Sequence, residues 1–505
     1  MQSFLGSINK YFFALLLGGL LSVSLPPYNF TLVSFLIFPL FLYLLFINKD
    51  GPAKSIFSIG FLFGYGYFLS NLYWVSYSLN FDNSLTILKP LTLLFIPSIL
   101  AIFYGVACVL VKKFISDKFY FVIFFSLVLS SFDFLRGILF SGFPWNLFAY
   151  TWSWSVESIQ ILSFVGTYSL NFFSIIIFCL PYLLIHKPNY KRLFIVLVFV
   201  FSVLSLNFYF GENLIKKDNL NIVPNFKVVL LQPDQNINDL SNEDNEAKYV
   251  DKLINESNPK IYKNQETLFV WPEGVFSNSA NLRQYEDLFA KNFFENQKIV
   301  LGSTKYEKNG FFNSLLLLNN KAEIISSYDK IKLVPFGEFV PFYSFFEMIG
   351  LKKITFGYGS FSNGSSRTPI SINKEITFLP LICYEIIFSG LLDLQKIDYD
   401  FILNISEDGW FGKSAGTVQH FVHSQYRAIE QGKHVIRSSN QGITASIKPN
   451  GIIDKSTGFL KNSTIVADIY KKNAKTLFSI YENKIFYLLT FLCSVLLLFF
   501  RKKNE

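Results

Sequence analysis

The stretch ITFLPLICYE, residues 376–385, is an apolar run that ends at a cysteine and, two residues later, a glutamate. A short apolar run with β-branched and aromatic residues predicts a buried strand, so Cys383 lies directly past a strand end. A strand end holds a side chain rigidly at the mouth of a pocket. The other cysteines, Cys108, Cys179 and Cys493, fall inside hydrophobic segments. The sequence therefore predicts no disulfide framework and no paired-cysteine metal site.

Two upstream stretches end in a similar way. Glu273 follows the apolar run 268–271, and Lys330 follows the run Ile324 to Tyr328. A second carboxylate, Glu338, comes shortly after Lys330 in the segment Pro335-Phe336-Gly337-Glu338. Since all three runs read as strands, we expect their polar ends to meet in one site.

The chemistry of these side chains fits a nucleophilic enzyme. A thiol needs a base or a cationic neighbour to become a good nucleophile, and Glu273 can take its proton if burial raises the pKa of that carboxyl. Lys330 and the backbone amide of Tyr384 can stabilise an oxyanion, while Glu338 can orient Lys330. Taken singly, each residue also has an ordinary interpretation: a buried apolar cysteine, a solvated turn glutamate and a surface lysine pair.

The composition indicates a membrane protein. Hydrophobic residues make up 51% of the chain, and the mean hydropathy is +0.35. The net charge of +9 could indicate a nucleic-acid partner, so the position of the basic residues has to decide. The four histidines have no spacing typical of a metal site, and we expect structural or solvated roles for them.

Eight segments are apolar and long enough to cross a bilayer, for which about 20 helical residues are needed. The first is not a signal peptide, because its charged N-region is weak and another span follows directly. The predicted spans lie near residues 10–26, 30–47, 55–77, 91–111, 119–138, 156–185, 193–211 and 485–500.

The loops predict the orientation. Twelve lysines and arginines lie on the side of the two termini, whereas the short loops of the other side carry only Lys89 and Arg136. The positive-inside rule therefore places both termini in the cytoplasm and residues 212–484 outside it. Because much of the positive charge serves topology, we expect no nucleic-acid partner.

Arg136 lies at a predicted membrane edge on the side poor in cations. It could pair with Asp133, or it could contact a lipid phosphate or carboxylate. The following Gly142-Phe143-Pro144-Trp145 predicts a helix break with an aromatic residue at the interface, which suits a point of lipid access. We therefore treat Arg136 and Trp145 as candidate lipid-facing residues.

Residues 212–484 are more polar and alternate short strand patterns with helical ones, which predicts one layered α/β domain. We thus expect three parts: a seven-helix membrane domain over 1–211, the globular domain over 212–484, and an eighth helix with a basic tail over 485–505. Helices are predicted near 245–256, 281–296 and 418–431. Strands are predicted near 227–232, 267–271, 299–303, 314–318, 324–328, 376–382, 401–405, 435–438, 444–448 and 464–469.

The motifs together resemble those of the bacterial apolipoprotein N-acyltransferases, membrane enzymes of the nitrilase (carbon-nitrogen hydrolase) superfamily. The resemblance covers nearly the whole chain, and the order and spacing of the motifs make it specific. They are Leu135-Arg136-Gly137 to Trp145, Trp271-Pro272-Glu273, Tyr328-Asp329-Lys330 to Pro341, Ile382 to Glu385, Asn404 to Gly412, Gln419-His420, Arg427 to Glu430, and Arg437 with Asn440 to Ala445.

The resemblance implies eight transmembrane helices and an extracytoplasmic α-β-β-α sandwich. It implies a Glu273-Lys330-Cys383 triad supported by Glu338, with Tyr384 and Glu385 acting near the nucleophile. The implied reaction is ping-pong: Cys383 takes an acyl chain from a phospholipid, typically phosphatidylethanolamine, and passes it to the α-amine of a diacylglyceryl-cysteine on an apolipoprotein. No cofactor or metal is expected, and the protein would act as a monomer in the bacterial inner membrane.

The chain also departs from the family pattern. The family usually has a tryptophan soon after the first strand, and Asn236 to Asp239 offers none. Glu407 stands where asparagine is common, and Gly409 stands where alanine is common. These differences concern substrate contacts rather than the triad.

The segment Phe339 to Phe361 is rich in Phe, Tyr and Gly and carries Lys352 and Lys353. We predict a mobile arm that dips into the outer leaflet, the alternative being a packed hydrophobic loop. Its Phe342 and Phe345, together with Trp410, are predicted to face lipid.

Two other functions compete with acyl transfer to a lipoprotein. A membrane-tethered amidase would use the same triad and give its thioester to water. A non-catalytic scaffold or transporter would not need Cys383, but transport is disfavoured because the spans contain few paired charges.

Overall fold

The computed structural model describes residues 9–81, 83–185, 190–236, 243–307, 310–341, 360–390, 397–459 and 461–502. These residues form two compact units. The membrane unit comprises Met1–Tyr77, Ile87–Lys217 and Leu477–Glu505, and the sandwich unit comprises Ser78–Thr86 and Asp218–Thr476.

The membrane unit is helical. Its long apolar segments form helices because a helix satisfies every backbone hydrogen bond within the segment, which lipid cannot do. The helices are α1 Lys10–Leu21, α2 Leu32–Ile47, α3 Ala53–Leu72, α4 Lys89–Val111, α5 Phe119–Ile138, α6 Leu162–Cys179, α7 Tyr182–Ile185, α8 Tyr190–Lys217, α12 Leu477–Tyr481 and α13 Lys484–Lys502.

Within the described residues, five helical stretches are long and apolar enough to cross a membrane: Ala53–Phe81, Leu85–Phe114, Phe119–Ile138, Leu162–Ile185 and Tyr190–Lys217. Three shorter apolar helices cover Lys10–Ser24, Leu32–Ile47 and Lys484–Phe499. All eight predicted positions thus hold apolar helices. The prediction of a helical membrane domain is therefore confirmed by helix length and apolar composition, whereas the prediction of eight complete spans stays a prediction.

The sixth predicted span begins later than expected. Residues 153–161 form turns, and α6 starts at Leu162. Within α6, Gly166 has a φ of +73°, and a Cβ there would lie 2.0 Å from the ring of Phe478. Only glycine combines that backbone conformation with so close an approach, so the interruption is built into the sequence.

The sandwich unit contains two six-stranded sheets, in the orders β12-β11-β10-β9-β8-β7 and β13-β2-β3-β4-β5-β6, and a small pair β1-β14. Strands β8, β9 and β10 are parallel, as are β2, β3 and β4. The strands are β1 Leu220–Ile222, β2 Phe226–Gln232, β3 Glu266–Val270, β4 Gln297–Glu307, β5 Gly310–Leu318, β6 Ile324–Asp329, β7 Ile370–Ser371, β8 Thr377–Ile382, β9 Phe401–Glu407, β10 His434–Asn440, β11 Ala445–Ile447, β12 Ile453–Ser456, β13 Ser463–Ala467 and β14 Tyr470–Lys472.

The helices of this unit lie outside the sheets. Helix α9 (Glu243–Ser257) packs on β2, and α11 (Ala415–Gln431) packs on β10 and β11. The two sheets face each other where β10 meets β2, and Ser438 Oγ donates a 2.7 Å hydrogen bond to the Leu231 carbonyl. The resulting order is helix, sheet, sheet, helix, as the resemblance implied.

One core layer shows why the sequence adopts this order. Alternate residues of β2 and β3, among them Leu231 and Phe269, are fully buried with Val250 of α9 and Phe289 of the short helix α10 (Glu286–Asn292). Trp271 is also fully buried, and its indole N–H donates to Ser257 Oγ at 2.9 Å. The apolar faces of strands and helices are therefore covered on both sides.

All ten predicted strands are present, with small shifts at their ends. The helix predicted over 281–296 is wrong in extent: a 3₁₀ helix, Ser279–Tyr285, precedes α10, which ends at Asn292 before the extended Phe293. Strands β1, β7, β12 and β14 were not predicted, because each has only two to four residues and no apolar run.

Candidate active site

The site lies where the carboxyl ends of neighbouring strands meet. In the parallel register, Ile382 of β8 pairs with Ile405 of β9, and Glu407 pairs with Asn440 of β10. Because parallel strands end at the same edge, this register places Cys383, directly after β8, beside the end of β9.

Cys383 begins a 3₁₀ turn, Cys383–Ile387, and its φ is +48°. A non-glycine residue in this region costs about 1–3 kcal/mol and persists only when its surroundings hold it there. Three side chains contact the main chain around it. Asn404 Nδ2 donates to the Leu381 carbonyl (3.2 Å), the Ile382 N–H donates to Glu385 Oε2 (2.9 Å), and His420 Nε2 lies 3.3 Å from the Cys383 carbonyl oxygen.

Lys330 lies between two carboxylates. It follows β6 directly, its side chain is 1% exposed, and its Nζ lies 2.9 Å from Glu338 Oε1 and 3.5 Å from Glu273 Oε1. Asn313 of β5 joins the same carboxylates, since its Nδ2 lies 2.7 Å from each of those Oε1 atoms. The Val334 N–H holds the other oxygen of Glu338 at 2.8 Å.

Glu273 follows β3 after Trp271-Pro272, and its side chain is 10% exposed. Its second oxygen accepts the main-chain N–H of Glu407 at 2.9 Å. The Glu407 carboxylate in turn accepts from the Gly409 N–H (2.8 Å) and from Asn440 Nδ2 (2.6 Å). The side chain of Glu407, which departs from the family pattern, thus supports the backbone that contacts Glu273.

Cys383, Glu273 and Lys330 differ in how their surroundings shift their pKa values. Burial raises the pKa of Cys383, and the charge of Glu273 raises it further, so the resting group is a thiol. Burial and Glu338 raise the pKa of Glu273 despite the opposing charge of Lys330. Burial opposes the charge on Lys330, but Glu273 and Glu338 outweigh it, so its pKa is raised and it stays an ammonium ion.

Glu385 connects the Lys330 segment to the Cys383 turn. One oxygen accepts hydrogen bonds from the main-chain N–H of Ile331 (3.0 Å) and of Lys332 (3.1 Å), directly after Lys330. The same oxygen accepts from Tyr328 OH (2.7 Å) and Arg367 Nη2 (2.5 Å). Because its other oxygen holds the Ile382 N–H, this buried carboxylate fixes the Lys330 segment relative to the Cys383 turn.

Tyr384 directly follows Cys383, and Trp410 lies in the short 3₁₀ helix Gly409–Phe411 after β9. Tyr384 is buried and packs edge-on against Phe388. Trp410 is half-buried, and its ring centroid lies 4.6 Å from that of Phe81. The predicted lipid-facing residues Phe342 and Phe345, with most of the predicted arm, lie outside the described residues. Asn236, where the family tryptophan is missing, is exposed.

In the part of the chain that the structure describes, one group of side chains has the composition of a metal site. Ligand atoms of Cys383, Asp408 and His420 all lie within 4.8 Å of one another. The Arg437 guanidinium, however, lies 2.6 Å from Asp408 Oδ2 and 3.1 Å from His420 Nδ1. A cation already neutralises this carboxylate, and it holds the pKa of Asp408 below its usual range against the effect of burial. The donor set therefore fits an ion pair better than a metal.

Comparison with known proteins identifies the family. An apolipoprotein N-acyltransferase from Rhodopseudomonas palustris is 30% identical over 462 residues, covering 87% of this chain and 85% of that protein. The chain belongs to the apolipoprotein N-acyltransferase family. A relative of the same name from Agrobacterium fabrum is 31% identical, with 89% of this chain and 87% of that protein covered.

Two family models match in addition. Residues 17–180 match the apolipoprotein N-acyltransferase N-terminal domain, and residues 278–476 match the carbon-nitrogen hydrolase family. The second match includes Lys330, Glu338 and Cys383 but begins after Glu273. Among solved structures, an amidase from Nesterenkonia sp. AN1 is 13% identical and covers 49% of this chain and 92% of that one, with a TM-score of 0.36. That likeness is too distant to add to the family assignment.

The family's membrane motif lies in the interior of the membrane unit. Arg136 is 2% exposed, pairs with Asp133 at 2.9 Å, and donates to the carbonyls of Phe143 (2.5 Å) and Asn146 (3.2 Å). Trp145 is 2% exposed and stacks on Phe143. Arg136 therefore has the Asp133 partner that one of the two alternatives predicted, and the ion pair stabilises the helix break after α5. Contact of Arg136 and Trp145 with lipid stays a prediction.

Sequence reasoning missed several residues of the site. Asn313 lies inside a strand with no motif around it, and only the pairing of β5 with β4 and β6 brings it to the carboxylates. Asp408, His420 and Arg437 belong to motifs that carried the resemblance, but the sequence assigned them no part in the site and expected only a structural or solvated role for the histidine. The available signal was Arg437, a charged side chain within the apolar pattern of β10.

Proposed function

We propose that this protein transfers an acyl chain from a membrane phospholipid to the α-amine of the N-terminal S-diacylglyceryl-cysteine of apolipoproteins. The similarity over 87% of the chain to a protein named apolipoprotein N-acyltransferase supports the activity. The observation that carries the mechanism is the buried Lys330 between Glu273 and Glu338. Its positive charge lowers the pKa of the Cys383 thiol, against burial and the charge of Glu273, which raise that pKa. Glu273, Lys330 and Cys383 are the proposed catalytic residues.

In the first half-reaction, the Cys383 sulfur attacks the ester carbonyl of the phospholipid while Glu273 takes the thiol proton. Lys330 and the main-chain N–H of Tyr384 stabilise the oxyanion that forms. The ester C–O bond then breaks, and protonated Glu273 returns its proton to the leaving alkoxide. The products are a thioester on Cys383 and a lysophospholipid.

In the second half-reaction, the neutral amine of the lipoprotein attacks the thioester carbonyl and gives a proton to Glu273. The C–S bond breaks, an amide forms, and the departing sulfur recovers a proton from Glu273. A resting thiol suits this sequence, because the sulfur loses its proton only when a carbonyl is in place to accept its electrons.

Three side chains support this site without touching the reacting atoms. Glu338 fixes the Lys330 ammonium and Asn313 fixes both carboxylates, through the hydrogen bonds described above. Glu385 holds the Lys330 segment and the Cys383 turn together. A site held this firmly satisfies the precise placement that catalysis requires.

The membrane placement is part of the proposal. All eight apolar helices cross the bacterial inner membrane, both termini are cytoplasmic, and the sandwich unit is periplasmic, as the distribution of lysines and arginines predicts. The donor is phosphatidylethanolamine, the protein acts as a monomer, and Trp410, Phe342 and Phe345 contact lipid. A thiol on that side would meet acyl donors of the outer leaflet.

Intact-mass analysis tests the proposal. Wild-type protein purified from bacterial membranes, or incubated with phosphatidylethanolamine, should carry one acyl group on Cys383, and a Cys383→Ser variant should carry no thioester. Addition of a diacylglyceryl lipopeptide should remove the acyl mass and produce an N-acylated peptide. Release as free fatty acid without peptide acylation would instead establish a hydrolase, and an absent adduct would contradict the covalent mechanism.

A further inference from the structure

Next to the Cys383 turn is a fully buried polar cluster, which consists of His420 of α11, Asp408 after β9 and Arg437 of β10. Asp408 receives hydrogen bonds from Arg437 Nη2 (2.6 Å) and Ser406 Oγ (2.7 Å), and Arg437 also donates to Asn404 Oδ1. The mechanism above assigns none of these side chains. Asp408 and Arg437 neutralise each other, so their burial alone assigns them no role, and the contact of the imidazole with the nucleophile has to decide.

His420 connects this group to the nucleophile. Its Nε2 lies 3.3 Å from the carbonyl oxygen of Cys383, and its Nδ1 lies 2.9 Å from Asp408 Oδ1 and 3.1 Å from Arg437 Nη2. Burial and the charge of Arg437 lower the pKa of His420, so the ring is neutral near pH 7 and carries one N–H. With that proton on Nε2, the ring donates to the Cys383 carbonyl, and Nδ1 accepts from Arg437.

The other neutral tautomer would point the Nε2 lone pair at the carbonyl oxygen, which is unfavourable. Nδ1 lies between an acceptor, Asp408 Oδ1 at 2.9 Å, and a donor, Arg437 Nη2 at 3.1 Å, while Nε2 lies against the acceptor oxygen of Cys383. A proton on Nε2 suits the contacts with Cys383 and Arg437, whereas a proton on Nδ1 suits the contact with Asp408 alone. Asp408 Oδ1 keeps the hydrogen bond from Ser406, so the arrangement favours the tautomer in which His420 donates to Cys383.

The contact matters because of peptide planarity. The carbonyl of Cys383 and the N–H of Tyr384 belong to one planar trans unit and point in opposite directions. A side chain that holds this carbonyl therefore also aims the N–H of Tyr384, which is the proposed oxyanion donor. The positive φ of Cys383 makes such a restraint necessary, since the peptide would otherwise relax.

We propose that His420 is a positioning residue that holds the Cys383–Tyr384 peptide so that its N–H faces the oxyanion of the acyl-transfer reaction. This inference rests on the proposed function and extends it to the Asp408 and Arg437 pair that orients the imidazole. Replacement of His420 should slow the step in which an oxyanion forms and leave other reactions of the Cys383 thiol unchanged.

The test compares two reactions of Cys383 in the full-length protein in detergent. Thioester formation from phosphatidylethanolamine passes through an oxyanion, whereas alkylation of the same sulfur by iodoacetamide does not. His420→Leu should lower kcat for lysophospholipid release by ~10–100-fold, with KM within about twofold, since removing a single oxyanion donor costs about 10²–10³-fold. Alkylation of Cys383, mapped by mass spectrometry, should stay within about threefold of wild type.

Rescue and control variants separate positioning from folding. In His420→Gln, the amide nitrogen reaches about as far as Nε2 and should restore most of the rate, whereas that of His420→Asn is too short and should not. His423→Leu removes another buried imidazole from α11, whose described contacts do not include the Cys383 carbonyl, and it serves as the matched control. If His420→Leu does not fold, the comparison of His420→Gln with His420→Asn carries the test.

Several outcomes would overturn the inference. They are equal loss of acylation and alkylation in His420→Leu, a His420→Leu rate equal to that of His423→Leu, or a His420→Gln rate no higher than that of His420→Asn. A wild-type protein that is alkylated but forms no thioester would instead overturn the proposed function, and this inference would fall with it.

Discussion

Two regions of this protein bury a cation beside a carboxylate, with different results. In the sandwich unit, Lys330 lies between Glu273 and Glu338, and its charge also acts on the thiol of Cys383. In the membrane unit, Arg136 pairs with Asp133, and its Nη1 and Nη2 atoms donate to the main-chain carbonyls of Phe143 and Asn146. The first cluster contains a reactive group within range of its charges, and the described contacts of the second contain none.

The comparison shows that a buried charge is weak evidence for function until its partners are known. Both pairs satisfy the requirement that a charge removed from water be neutralised and hydrogen-bonded. Only the surplus of acceptors around Lys330, two carboxylates for one ammonium, leaves a base available for proton transfer. The variants below separate the two regions by measuring chemistry and stability independently.

The largest expected effect comes from the nucleophile. Cys383→Ala should abolish lysophospholipid release and lipopeptide acylation, with a loss of at least about 10³-fold, because the covalent route no longer exists. The thermal unfolding midpoint should change little. Residual turnover above a tenth of the wild-type rate would show that Cys383 is not the acyl carrier.

Removal of the cation comes next. Lys330→Met should lower kcat by ~10²–10³-fold through loss of oxyanion stabilisation. Lys305→Met is the matched control, since Lys305 lies on β4 and pairs with Asp329 at 2.8 Å, next to Lys330 in sequence. Equal losses in the two variants would assign Lys330 a structural role like that of Arg136.

The membrane pair should behave in the opposite way. Arg136→Met leaves Asp133 buried without its cation, which costs about 3–5 kcal/mol of stability. The unfolding midpoint in detergent should fall, while kcat per folded molecule should stay within about twofold of wild type. The double variant Asp133→Leu/Arg136→Met should recover part of the stability; a selective loss of kcat would point to a direct role in lipid handling.

The smallest effect concerns pH. Burial and Glu338 raise the pKa of Glu273. Because Glu273 must be ionised to take a proton, kcat/KM should have its full value above that pKa and should fall as the pH drops through it. The Asn313 hydrogen bond lowers this pKa, so Asn313→Leu should move the acid limb to higher pH. The pH profile of kcat/KM, measured for the wild type and for Asn313→Leu, tests both expectations. An acid limb at the same pH in the two proteins would exclude Glu273 as the titrating base.

Much of this organisation could be predicted from the sequence. Hydrophobic runs gave the positions of the eight apolar helices and ten strands, because burial in lipid or in a sheet requires a local pattern of apolar residues. The strand ends at Glu273, Lys330 and Cys383 were visible for the same reason. Short strands such as β7 and β14 were not, since they are held by neighbours rather than by their own pattern.

The sequence by itself determined the two kinds of unit, the reactive side chains and the family they resemble. The tertiary structure alone decided which polar groups meet. It placed Asn313 between Glu273 and Glu338, joined Glu385 to the Lys330 segment, and put His420 against the Cys383 carbonyl. These contacts join residues that are distant in the chain, and no local pattern encodes them, because they depend on sheet register and on the packing of α11 against the strands.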